Sequence, residues 1–153
     1  MAHKQGKQKT VLASGVFDLL HLGHVKFLEE AKKSGGKSAR LVVIIATDRT
    51  VEKTKGRKPI MSENQRRALV ESLKVVDEAV LGSEEFDIGE VVESVKPDVI
   101  ALGYDQTDMK QRVQKYVDAL KLGIKVVRVG KFEEDELDSS SKIRQKIVEK
   151  SVR

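Results

Sequence analysis

Two histidines three residues apart, His21 and His24, stand inside the run Gly15-Val16-Phe17-Asp18-Leu19-Leu20-His21-Leu22-Gly23-His24, and the 153-residue chain has only one other, His3. Residues 10–14 before this run read as a buried strand, and residues 22–34 after it as an amphipathic helix. Where a strand end, a glycine turn and a helix start meet, free backbone N–H groups and the positive end of the helix dipole converge on an anion site. The spacing of three puts both imidazoles on one face of the first helical turn. Donors placed there can hold a phosphate, so the run reads as a phosphate chemistry site. The helix dipole disfavours an imidazolium at this position, whereas a bound polyphosphate favours it, so polyphosphate binding there is expected to bring proton uptake. Other readings are weaker. The turn is not a dinucleotide fingerprint, because no G-x-G-x-x-G occurs. A metal half-site lacks partners, since the chain has no cysteine and His3 lies in the N-terminal tail.

The pattern G-x-F-D-x-x-H-x-G-H resembles the signature of the cytidylyltransferase-like nucleotidyltransferases, which move a nucleotidyl group from an NTP to a phosphate-bearing acceptor and release pyrophosphate. Asp138-Ser139-Ser140-Ser141-Lys142-Ile143-Arg144 is similar to a second family element, I-S-S-T-x-x-R, with Asp138 in place of Ile and Ser141 in place of Thr. The resemblance implies catalytic roles for His21 and His24. It implies nucleotide contacts from Gly15, Val16, Phe17, Gly23, Gly103 and Asp105, and from Ser140, Ser141 and Arg144 at the start of the last helix. Lys58, Arg66 and Lys26 are candidate phosphate or substrate contacts; in relatives, an Arg placed like Arg66 or Arg67 orders the preceding loop. Asp18 reads as a packing or orienting carboxylate. No protein-caged metal is expected; a divalent ion, Mg²⁺, would accompany the nucleotide as its counter-ion.

Two groups of relatives compete for the substrate. Glycerol-3-phosphate cytidylyltransferases carry an Arg-Thr-x-Gly run before the second element and a Trp after the fourth strand. Here Glu133-Glu134-Asp135-Glu136-Leu137 and Gln106 stand in those places. The runs Gly56-Arg57-Lys58-Pro59-Ile60, Gln65-Arg66-Arg67, residues 76–82 and Leu102-Gly103-Tyr104-Asp105-Gln106 look more like archaeal FAD synthases. That resemblance implies ATP and FMN as substrates, with the 103–106 loop near the base. Such relatives are often dimers, which leaves a homodimer open.

Composition bounds the alternatives. A net charge of +5 invites a nucleic-acid reading, but Lys4, Lys7 and Lys9 carry +3 and residues 142–153 carry +4, leaving about −2 on the remainder. With only six aromatic residues, the chain lacks the basic, aromatic stripe that nucleic-acid binding needs. The apolar runs are too short to span a bilayer. The basic N-terminus is not followed by the apolar segment of a signal peptide. The absence of cysteine suits a cytoplasmic setting.

The elements that must position these residues alternate along the chain. Strands are expected at 10–14, 41–47, 77–81, 99–103 and 124–129. Helices are expected at 22–34, from Ser62 or Glu63 to about 74, at 86–95, at 108–122 ending on Gly123, and from Ser139 or Ser140 to about 149. Residues 49–58 read as a charged loop. Short apolar runs separated by helices predict a doubly wound, Rossmann-like α/β domain spanning residues 10–150, with a mainly parallel five-stranded sheet behind a basic flexible tail at 1–9. In such sheets the site forms beyond the C-terminal strand ends, which is where the signature, Asp48, the 103–106 loop and the segment before Ser139 all fall.

Overall fold

In the computed structural model, which describes residues 6–85, 87–132 and 139–152, strand and helix alternate as the apolar periodicity dictates. The elements are β1 (Thr10–Gly15), α1 (Leu22–Lys33), β2 (Arg40–Ile45), α2 (Asp48–Lys55), α3 (Glu63–Glu71), β3 (Glu78–Leu81), α4 (Ile88–Val95), β4 (Val99–Leu102), α5 (Thr107–Ala119), β5 (Lys125–Arg128) and α6 (Ser140–Ser151). All strand pairs are parallel, in the order β3-β2-β1-β4-β5. Ala13 in the central strand faces Val43 on one side and Ala101 on the other.

Because side chains alternate across a strand, each sheet face carries its own apolar layer. Val11, Ala13, Val43 and Ala101 pack with Leu28 and Ala31 of α1 and Val70 of α3. Leu12, Ile44, Ile100 and Leu102 pack with Val113 and Val117 of α5 and with the half-buried apolar side of α4. The chain leaves β1 in one direction to build β2 and β3, and returns on the other side for β4 and β5. The strand order therefore reverses between β1 and β4, which opens a crevice beyond their C-terminal ends. Among the described residues, no helix is long and apolar enough to cross a membrane.

Three local expectations need correction. The charged stretch 49–58 is not a loop: its first part forms α2, capped by Thr47 Oγ1 accepting from the Thr50 N–H at 3.2 Å and closed by Gly56 at φ 70°. Only Val51 is buried in that helix, so it carries no apolar stripe for periodicity to detect. The helix expected to reach residue 74 ends at Glu71. The helix expected to run to Gly123 ends at Ala119, and Lys121 takes a left-handed conformation (φ 50°) before Gly123 does (φ 65°). The acidic segment Glu133–Glu136 and Asp138 lie outside the described residues.

Candidate active site

The signature folds as an unusually constrained turn. A Cβ on Gly15 would lie 2.8 Å from the Phe17 ring, so only glycine lets that buried ring tuck beneath the strand end. Phe17 (φ 55°) and Leu19 (φ 51°) are both left-handed, a conformation that costs a non-glycine residue and clusters at functional sites. Between them Asp18 is 5% exposed. Its carboxylate accepts from the N–H groups of Ile60 at 2.8 Å and Met61 at 2.9 Å, and its carbonyl accepts from the Ser140 hydroxyl.

Helix α1 starts directly after this turn with His21 as its N-cap. The His21 backbone N–H donates to His24 Nδ1 at 3.2 Å. The two imidazoles stack with centroids 3.7 Å apart at 26°, and the Phe17 ring lies 5.3 Å from that of His24. Burial, then the charge of His21, push the His24 pKa from 6.5 down to about 3, with Lys55 adding to the effect and Asp18 opposing it. His24 is therefore neutral near pH 7. Since its Nδ1 accepts, the hydrogen bond assigns the ring proton to Nε2, leaving that nitrogen as the donor.

These groups border a cleft of about 1000 Å³ at the reversal point between β1 and β4. One wall is the signature, with Gly15, Val16, Phe17, Asp18, His21, Gly23, His24 and Lys26. The loop Gly103-Tyr104-Asp105-Gln106 after β4, residues 127–132 at the end of β5, and Ser139, Ser140, Ser141 and Arg144 of α6 complete it, with Lys55, Arg57 and Pro59 also lining it. Arg144 Nη2 donates to Ser141 Oγ at 3.2 Å, and Ser139 Oγ accepts the Lys142 N–H at 3.2 Å. Lys26 pairs with Glu29 at 3.2 Å. In the β4 loop the Gly103 N–H donates to Gln106 Oε1 at 2.8 Å, so that side-chain oxygen holds the loop. Lys131 Nζ lies 5.7 Å from the centre of the Tyr104 ring. The arrangement concentrates cations and backbone donors around one concave surface, which suits a polyphosphate.

The structure thus gathers most of the residues singled out from the sequence. Two stand apart. Lys58 does not line the cleft, although its neighbours Arg57 and Pro59 do. Arg66 is a correction: its side chain is fully buried rather than facing a phosphate. Its Nε donates to the Met61 carbonyl at 3.0 Å, Nη1 to the Val16 and Ala46 carbonyls at 2.7 and 2.8 Å, and Nη2 to Asp48 Oδ1 at 2.7 Å. It ties the ends of β1 and β2 to the start of α3. Sequence reasoning missed Lys55, because the helix that carries it escaped detection. It also missed Lys131, which has no motif around it. Among the described residues no group of three or more His, Cys, Asp or Glu gathers to hold a metal ion.

A parallel sheet with a strand-order reversal, a glycine turn into a helix start and a stacked histidine pair on a cationic cleft together define a nucleotide-handling α/β protein. The cytidylyltransferase-like family model matches residues 12–146, and the chain belongs to that family. It is 50% identical over 139 residues to the FAD synthase of Methanobrevibacter smithii, covering 91% of this chain and 90% of that protein. It is 51% identical over 147 residues to the FAD synthase of Methanothermobacter marburgensis, covering 94% and 88%. A solved Thermoplasma volcanium structure described as a lipopolysaccharide core biosynthesis protein superposes with a TM-score of 0.72 at 45% identity, over 82% of this chain and 98% of that one. Pantothenate synthetase from Thermus thermophilus shares the fold alone, with a TM-score of 0.62 at 19% identity over 88% of this chain and 60% of its own.

Proposed function

We propose that this protein is an FMN adenylyltransferase, which moves AMP from ATP to FMN and releases FAD and pyrophosphate. The observation that carries nucleotidyl transfer is the stacked His21–His24 pair at the start of α1, with His24 held neutral, on a cation-lined cleft. The choice of ATP and FMN is supported by about 50% identity to FAD synthases along nine-tenths of the chain.

The chemistry asks little of a base, because the FMN phosphate is already ionised. One of its oxygens bonds to the α-phosphorus as the bond to the α,β-bridging oxygen breaks, and pyrophosphate leaves with that electron pair. The protein's task is to bring two anions together, align them and stabilise the charge at phosphorus. His24 Nε2–H and His21 serve the α-phosphate. Ser141 and Arg144, already bonded to each other, take the leaving phosphates, with Lys55, Arg57 and Lys26 as further neutralising charge. The divalent counter-ion would be held by the triphosphate's own oxygens. As the polyphosphate settles, its charge raises the pKa of His24, and the site takes up a proton.

The test is pyrophosphate release from the pure protein supplied with each NTP in turn, plus FMN or glycerol 3-phosphate. ATP with FMN is the productive pair. Release only with CTP and glycerol 3-phosphate would replace this reading with a cytidylyltransferase.

A further inference from the structure

We propose that Asp18 is a positioning residue for nucleotidyl transfer, fixing both flanks of the cleft to the signature turn at once. Its side chain and its main chain face different partners. The carboxylate receives the Ile60 and Met61 N–H groups, which end the segment that presents Arg57 and Pro59 to the cleft. The carbonyl receives the Ser140 hydroxyl in the first turn of α6, the turn that presents Ser141 and Arg144.

The grip is reinforced from the far side. Met61 is held at both of its amide groups, since Arg66 Nε donates to the Met61 carbonyl while Asp18 takes the Met61 N–H. Arg66 also holds the Val16 carbonyl, two residues before Asp18. The left-handed Phe17 and Leu19 on either side of Asp18 fit this picture, because such conformations persist only where surrounding contacts over-determine them. Each oxygen of the carboxylate thus receives one backbone N–H. Its consequence is geometric: the cations on the α2–α3 segment and those on α6 keep a fixed distance from the histidine pair. In this role Asp18 acts through the segments it holds rather than on the reacting atoms, and the inference rests on the nucleotidyl-transfer reading above.

Asp18→Asn tests this, because an amide can accept at only one of the two positions and must turn its NH₂ toward a backbone N–H. In protein whose circular dichroism matches wild type, KM for ATP should rise about tenfold and kcat should fall about tenfold or more. Affinity for adenosine, measured by calorimetry, should stay within about twofold. A merely structural role would lower the thermal midpoint and the active fraction while leaving both kinetic constants of the surviving enzyme unchanged, and that result would overturn the proposal. If the variant does not fold, hydrogen exchange of the wild type decides. The Ile60 and Met61 amides should be protected as strongly as those of α3 in the nucleotide-free protein, and exchange at the rate of open loops would refute the clamp. If the wild type forms no FAD, the proposed substrates fail, but calorimetric ATP affinity and amide exchange still test Asp18.

Discussion

Replacing Arg66 by Met removes a guanidinium of nearly matching length while leaving its four acceptors in place. Those acceptors are the carbonyls of Met61, Val16 and Ala46 and the carboxylate of Asp48, all within 3.0 Å of the guanidinium. Each carbonyl left dry and unpaired costs about 1–3 kcal/mol, and breaking a buried ion pair costs about 3–5 kcal/mol. Asp48 is partly exposed and recovers some hydration, so a net loss of about 3–5 kcal/mol is expected rather than the full sum. For a domain of this size that lowers Tm by roughly 6–20 °C, at about 2–4 °C per kcal/mol. Arg66→Lys should recover only part of the loss, because one ammonium cannot span acceptors on three separate segments. Urea denaturation with an unchanged m-value reads the difference directly. A loss below about 1 kcal/mol for Arg66→Met would refute the idea that this side chain ties the ends of β1 and β2 to α3.

Other outcomes follow from the same geometry. His21→Ala and His24→Ala should each lower kcat by on the order of 10²-fold or more with the fold retained, the cost of losing one charge-stabilising donor; steady-state rates within a few-fold of wild type would contradict their role. Arg144→Ala should weaken ATP binding by about 10- to 100-fold, as for a lost charge-assisted hydrogen bond, and leave adenosine unaffected in calorimetry. Acid should destabilise the protein through His24. The unfolded chain protonates this residue near pH 6.5 and the folded protein only near 3, so the unfolded state binds more protons between those values and stability falls as pH drops through them. Urea midpoints compared at pH 7.5 and 5 should show this drop, and it should shrink in His24→Asn.

The fold was legible because each buried strand is a short apolar run flanked by helical periodicity; β2, with five of its six residues buried, could hardly be read otherwise. The histidine pair was legible because motif and helix start coincide. What stayed hidden depends on long-range contact. Asp18 meets Ile60 and Met61 more than forty positions away, and no local pattern announces that pairing. Arg66 stood among the phosphate candidates, while the resemblance also gave it or Arg67 the ordering of the preceding loop, and its complete burial with its bond to the Met61 carbonyl favours the second role. Helix α2 escaped because a helix with one buried residue has no periodicity, although the Thr47 cap and Gly56 marked its two ends. Within the 103–106 loop, Gln106 Oε1 accepts the Gly103 N–H, a contact between near neighbours that residue types alone do not announce.

The central claim, that this site transfers intact AMP from ATP to FMN, is tested most directly by following the α-phosphorus. With ATP labelled at that atom and FMN as acceptor, the label should appear in FAD in one-to-one ratio with pyrophosphate released, and His24→Ala should abolish both together. Label that stays in ATP or appears as free AMP, with no labelled FAD at enzyme concentrations that saturate the assay, would contradict it.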